Sequence, residues 1–165
     1  MQFFYTGGSF FMNYIDNSDD YFNIIAPVIK AFGYDIVEIA AKVLHDGLHI
    51  HIVLYSSGGI SISDCSKVHR TVQRRIEAYT ENRDFFIEVS SPGITRIFKT
   101  ANEFTVFTGN YVKLLLEDNT DWIRYKIIKA DNLTAELLPV EQDNTEEIES
   151  VIIPYNRIRK AKLDY

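Results

Sequence analysis

The chain has 165 residues, 46% of them apolar and 13% aromatic, which is enough to build a core and excludes a disordered chain. Acids outnumber bases 23 to 17 for a net charge of −6. That weighs against a general nucleic-acid binder, yet it leaves room for a local basic patch, because salt screens exposed charge beyond about 8 Å. The lone cysteine, Cys65, excludes an intramolecular disulfide and predicts a reducing, cytoplasmic setting; no apolar run approaches the roughly 18 residues of a membrane span.

Residues 1–17 read as a leader outside the fold. Met1–Phe11 is aromatic and carries no Lys or Arg, so it is not a secretory signal. A start at Met12 would leave those residues as an untranslated or disordered leader. Residues 18–93 read as a first domain. Ser18 is placed to cap a helix, with Asp19 and Asp20 in its first turn. Tyr21, Phe22, Ile25, Val28, Ile29 and Phe32 follow at helical spacing, Pro27 predicts a kink, and Gly33 an end. Val37, Ile39, Ala41 and Val43 alternate, His45-Asp46-Gly47 supplies a turn, and Leu48, Ile50, Ile52 and Leu54 alternate again, which predicts a hairpin. After the loop Ser56-Ser57-Gly58-Gly59, Ser63 is placed to cap a second helix with the stripe Cys65, Val68, Val72, Ile76 and Tyr79. Phe85, Ile87 and Val89 make a third strand, giving the order αββαβ.

Residues 94–165 change character. Thr100-Ala101-Asn102-Glu103 reads as a capping box opening a short helix that Gly109 closes. Short strands follow at Tyr111–Leu116, Ile123–Lys129, Leu137–Val140, Ile148–Ile153 and Arg159–Leu163, with an acidic loop at Glu141–Glu147 and a tight turn at Pro154-Tyr155-Asn156-Arg157. Five short strands in about 55 residues predict a small closed barrel, since closure removes exposed edges. The fold class expected is α+β, with no internal repeat.

Catalysis finds little support. Ser90 and Ser91 sit at a strand end but lack the flanking glycines of a nucleophile elbow. Gly58-Gly59 lacks the Gly-Lys-Ser/Thr of a phosphate loop. His45, His49 and His51 are spaced to approach one metal ion, but no acid or Cys nearby in sequence completes a tetrahedral set, so an exposed polar face is the expectation. No cofactor, metal or small-molecule substrate is expected, and Cys65 reads as a small core residue.

Binding residues are more legible. Lys67, Arg70 and Arg74 fall within roughly 60° of one another around the second helix, opposite Val68, Val72 and Ile76, with Arg75 flanking. They form a candidate phosphate-contacting face. Arg157, Arg159, Lys160 and Lys162 close the chain as a second basic cluster, in which Arg159 and Lys160 are expected on opposite faces of the last strand. The equally weighted alternative for each is a solvated, charge-guarded surface. Ser90, Ser91, Pro92 and Gly93 read as a stiff interdomain join, with Pro92 fixing φ and Gly93 suited to positive φ.

The run Phe86-Ile87-Glu88-Val89-Ser90-Ser91-Pro92-Gly93-Ile94, with Arg96 after it, closely resembles the signature of the ribosome maturation factor RimP family. Ser63-Asp64-Cys65 is similar to that family's Asp-Asp-Cys helix start. Phe104–Lys113 looks like its phenylalanine-rich turn, and Ile153–Leu163 like its closing motif. The resemblance covers Tyr21 to Leu163. It departs at Ile97-Phe98, Leu54-Tyr55 and Ile76-Glu77. It implies an αββαβ domain followed by an SH3-like or Sm-like barrel. It also implies a non-catalytic, monomeric factor that binds the immature small (30S) ribosomal subunit, with Arg96 added to the subunit-contacting candidates. The rival reading is a peptide-binding adaptor whose barrel presents Trp122, Tyr125 and Tyr155 to a Pro-rich ligand.

Overall fold

A computed structural model describes residues 18–79, 84–140 and 149–165. The leader with Met12, the side chains of Ser18 and Asp19, the acidic loop 141–147 and the expected strand start at Ile148 lie outside the described residues. Of the described residues, those up to Pro92 and those from Gly93 onward form separate compact units.

The first unit runs α1 (Ser18–Ala31), β1 (Asp35–Leu44), β2 (Gly47–Tyr55), α2 (Ile62–Glu77) and β3 (Phe85–Ser90). This is the αββαβ order that the periodicities predict. α1 carries Pro27 in its interior and continues to Ala31. It ends where Gly33 turns left-handed (φ 79°), a conformation that costs glycine little. β1 and β2 pair antiparallel across the turn, with Leu44 opposite Gly47. β3 pairs parallel with β2, which requires a crossover, and α2 provides it. Ile25, Ile29, Leu48, Ile50, Ile52, Leu54, Val68, Val72 and Ile76 make the core between helices and sheet. Three residues expected on apolar helix stripes, Phe22, Phe32 and Tyr79, are instead exposed; Tyr79 meets the Tyr21 ring edge-on at 5.9 Å.

The cap of α2 is Ser61, two residues before the expected Ser63. Ser61 Oγ accepts from the Asp64 N–H at 3.1 Å, and the Asp64 carboxylate accepts from the Ser61 N–H at 3.0 Å and from its hydroxyl at 2.6 Å. Asp64 stands at the third helical position, where a reciprocal box can close, and Ser63 has no such partner three residues on.

Gly47 is indispensable. Its φ is 136°, and a Cβ there would overlap the Asp84 carbonyl oxygen. That same oxygen accepts the Leu48 N–H at 2.9 Å, so the start of β3 is held against the hairpin turn.

The second unit contains α3 (Asn102–Val106), β4 (Tyr111–Leu116), β5 (Ile123–Ala130), β6 (Thr134–Pro139), β7 (Val151–Pro154), a 3-10 turn (Tyr155–Arg157) and β8 (Ile158–Asp164). The expected capping box at α3 does not form, because Ala101 is the cap residue and offers no side-chain bond. The sheet has the order β7-β6-β5-β4-β8. A closed barrel is predicted from the strand spacing; the ladder observed is open, with no pairing of β7 to β8 among the described residues. The far side of β8 is taken by another segment: Phe98 N–H donates to Ala161 O at 2.9 Å, and Leu163 N–H donates to Arg96 O at 2.8 Å. The core gathers Phe98, Phe104, Phe107 and Tyr155, with ring centroids 5.0–5.3 Å apart. Val112, Leu114, Ile127, Leu137 and Leu163 are buried in the same unit.

Candidate nucleic-acid interface

α2 buries Val68, Val72 and Ile76 and leaves Lys67, Arg70, Arg74 and Arg75 exposed. Lys67 Nζ lies 3.6 Å from Asp64 Oδ1. Arg70, Arg74 and Arg75 have no ion-pair partner among the described residues, so three guanidiniums stand open to solvent on one helix. The acid at the head of this helix is spent locally. Hydrogen bonds from the Ser61 side chain and backbone, then from Tyr34, then the charge of Lys67, lower Asp64 to about 2. Burial, then the neighbouring Asp64 carboxylate, pushes the Cys65 thiol up, which keeps it protonated and poorly nucleophilic.

In the closing cluster, Arg157 is exposed and pairs with Asp118 at 2.6 Å. Arg159 and Lys160 are both exposed, against the expectation of opposite faces. The pairing explains this: Leu115 faces Lys160 and Leu116 faces Ile158, leaving Arg159 as the extra residue of a bulge. The bulge shifts the alternation by one, so Ile158 and Ala161 are both buried while the two cations between them reach solvent. Lys162 Nζ sits 4.6 Å from the centroid of the Trp122 ring.

Arg96 is placed differently from the other candidates. It is 9% exposed in its side chain, against 0% for Glu103, and its Nε lies 2.5 Å from Glu103 Oε2. A second guanidinium nitrogen donates to Oε1 at 3.1 Å, and the Lys99 N–H donates to the same oxygen at 2.8 Å. Sequence reasoning took Glu103 for a cap and missed this pair. A glutamate seven residues from an arginine across an irregular stretch gives no periodic signal.

Ser90 ends β3, and Ser91 and Gly93 are exposed. Gly93 is not among the positive-φ glycines, and a Cβ on it would meet nothing within 4 Å. The turn here begins at Gly93, whose carbonyl accepts the Arg96 N–H at 3.0 Å, so Ile94 and Thr95 occupy the turn centre and Gly93 needs no special backbone. The histidines are dispersed: His49 Nε2 lies 2.9 Å from Asp46 Oδ1, and its ring stacks on Phe86 at 4.7 Å. His51 lies 3.9 Å from Glu88. Of the aromatics proposed for a peptide groove, Tyr125 and Tyr155 are each 6% exposed. The Tyr155 hydroxyl is tied to Asp131 O at 2.8 Å, and burial pushes its pKa upward.

An αββαβ unit with an open basic helix face, followed by an antiparallel sheet whose last strand carries cations, defines a two-unit α+β protein with local basic surfaces on an acidic chain. A model of the RimP N-terminal domain matches residues 24–95. A protein of Borrelia turicatae (strain 91E135) named ribosome maturation factor RimP is 34% identical over 149 residues, covering 90% of this chain and 96% of the relative. Proteins of the same name from Borrelia hermsii (strain HS1 / DAH) and Borrelia recurrentis (strain A1) are each 32% identical over the same shares. The chain belongs to the ribosome maturation factor RimP family.

Proposed function

We propose that this protein is a non-catalytic assembly factor that binds the immature small ribosomal subunit in the cytoplasm and promotes its maturation, acting as a monomer. The observation that carries the reading is the open basic face of α2, in a chain whose relatives are named ribosome maturation factors. Arg70 and Arg74 have no acidic partner among the described residues, and cations so placed pair readily with phosphate. Arg157, Arg159, Lys160 and Lys162 supply a second set of contacts. Arg96 acts from beneath, holding the backbone that precedes α3. The acidic remainder keeps nonspecific attraction to RNA weak. The join at Ser90, Ser91, Pro92 and Gly93 tethers the two units, so that binding through one raises the effective concentration of the other.

The same reading makes the second sheet SH3-like. A flat five-stranded sheet separates its edges by about 19 Å, whereas Pro154 at the end of β7 and Ile158 at the start of β8 are at most about 14 Å apart along the chain. That supports a sheet curled towards closure. The adaptor reading has less support, because two of its three aromatics are buried.

Sedimentation of cell extract tests the proposal. Co-migration with free small subunits is expected. Absence from every ribosomal fraction would sink it.

A further inference from the structure

The outer face of the second sheet carries a charge conflict that folding alone does not require. Lys113 on β4 is directly opposite Arg124 on β5 and directly opposite Lys162 on β8. Three cations therefore stand in one row across three adjacent strands, about 5 Å apart at their Cβ atoms, an arrangement that costs stability. In the next row of the same face, Tyr111 is opposite Lys126 and Asp164. The other side of these strands is core, with Val112, Leu114, Tyr125, Ala161 and Leu163 buried. One acid serves the patch: Asp164 lies 2.8 Å from Lys113 Nζ and 2.6 Å from Arg124 Nε. Among the described residues, Asp164 is the carboxylate ion-paired within this set of four cations, so the face is locally basic in a chain of net charge −6.

The aromatics of this face are interleaved with the cations. Trp122 is 38% exposed and Tyr111 36% exposed. Lys162 lies against the Trp122 ring, and the Arg124 guanidinium lies 4.3 Å from the centroid of the Tyr111 ring. A duplex would need only the charge. Exposed rings among cations suit unpaired bases, which stack on aromatic faces while their phosphates meet Lys and Arg.

We infer that this face of the second sheet, built from Lys113, Arg124, Lys126, Lys162, Trp122 and Tyr111, binds single-stranded RNA. The inference rests on the ribosomal reading above for the origin of that RNA, and names a contact surface separate from α2.

Trp122 is the chain's single tryptophan, so its fluorescence reports the site directly. The full chain is titrated with a mixed-sequence 10-nucleotide oligoribonucleotide, an abasic oligonucleotide of equal charge, an RNA duplex and a polyglutamate peptide. The single strand is expected to quench Trp122 and the abasic strand to bind more weakly without quenching. Lys113→Ala with Arg124→Ala should lower the slope of log affinity against log salt by about 1.4. Trp122→Ala, followed by anisotropy of a labelled oligonucleotide, should weaken binding about 5- to 150-fold. Asp164→Asn should tighten it, a change that loss of a merely structural contact would not produce. Native melting of each variant is the control for folding. Equal quenching by duplex and single strand, quenching by polyglutamate alone, or weaker binding in Asp164→Asn would each overturn the inference. Co-sedimentation with small subunits without oligonucleotide binding would sink this inference and leave the ribosomal reading standing; the reverse pattern would do the opposite.

Discussion

The guanidinium of Arg96 and the carboxylate of Glu103 close on one another with both side chains largely buried, and the Lys99 N–H donates to the same carboxylate. The turn after Gly93 is thereby fastened to α3, whose Phe104 sits in the aromatic core of the second unit. Removing one partner leaves a buried charge uncompensated, at about 3–5 kcal/mol. Glu103→Ala should destabilise the second unit by that amount in urea melts. The double variant Glu103→Leu with Arg96→Met should lie much closer to the parent, because an apolar pair of similar volume needs no desolvated ions. Equal stability of Glu103→Ala and the parent would show that the pair contributes nothing.

The first unit has its own single-atom dependency at Gly47. Gly47→Ala combines positive φ with a clash against the Asp84 carbonyl, so β3 must shift or detach. The expected result is a loss of several kcal/mol, about 2 or more, with faster amide exchange at Leu48. Gly93→Ala is the counterpart, and its melting should match the parent within about 0.5 kcal/mol.

The capping box of α2 makes stability depend on acid. The folded Asp64 carboxyl is lowered to about 2, beneath the unfolded value of about 3.9. A depressed carboxylate contributes stability that is fully present above the unfolded value and is lost as pH falls through the folded one. The first unit should therefore lose stability between about pH 5 and pH 1, and Asp64→Asn should flatten that part of the curve. Ser61→Ala should cost about 1 kcal/mol at neutral pH. An unaltered acid limb in Asp64→Asn would place the acid sensitivity elsewhere.

The α2 face is tested by charge. Replacing Lys67, Arg70 and Arg74 with Ala should lower the slope of log subunit affinity against log salt by about 2 to 3. Melting should stay near native, since none of the three is buried. An unchanged slope would mean that the face is ordinary solvated surface.

What the sequence made legible was periodic. Val68, Val72 and Ile76 announce a buried helix stripe, and Leu48, Ile50, Ile52 and Leu54 a half-buried strand, because burial follows the repeat of the backbone. The basic face of α2 followed from the same geometry. What stayed hidden depended on partners distant in the chain. Nothing local tells Ser61 from Ser63 as a cap until the helix start is known. The bulge that turns both Arg159 and Lys160 outward needs the register against Leu115 and Leu116. The row Lys162, Lys113 and Arg124 exists only once three strands are aligned, and residues 113 and 162 lie far apart in sequence. Arg96 was singled out by resemblance as a surface contact, and only packing showed what its charge rests on.

The pairing of β4 with β8 also sets an order of events during synthesis. β8 is the last described strand to be made, yet it is the partner of β4, the first strand of its sheet, and of the backbone around Arg96 and Phe98. The unit before Pro92 has all its described strands in hand well before β8 exists. Domains fold as units during translation, N-terminal first, so the first unit can be complete while β4 still waits with one edge unpaired. A nascent chain paused between β7 and β8 would carry a finished helical face and an unfinished sheet. The row of Lys113 and Arg124 would lack its third cation, because the strand holding Lys162 would still be missing.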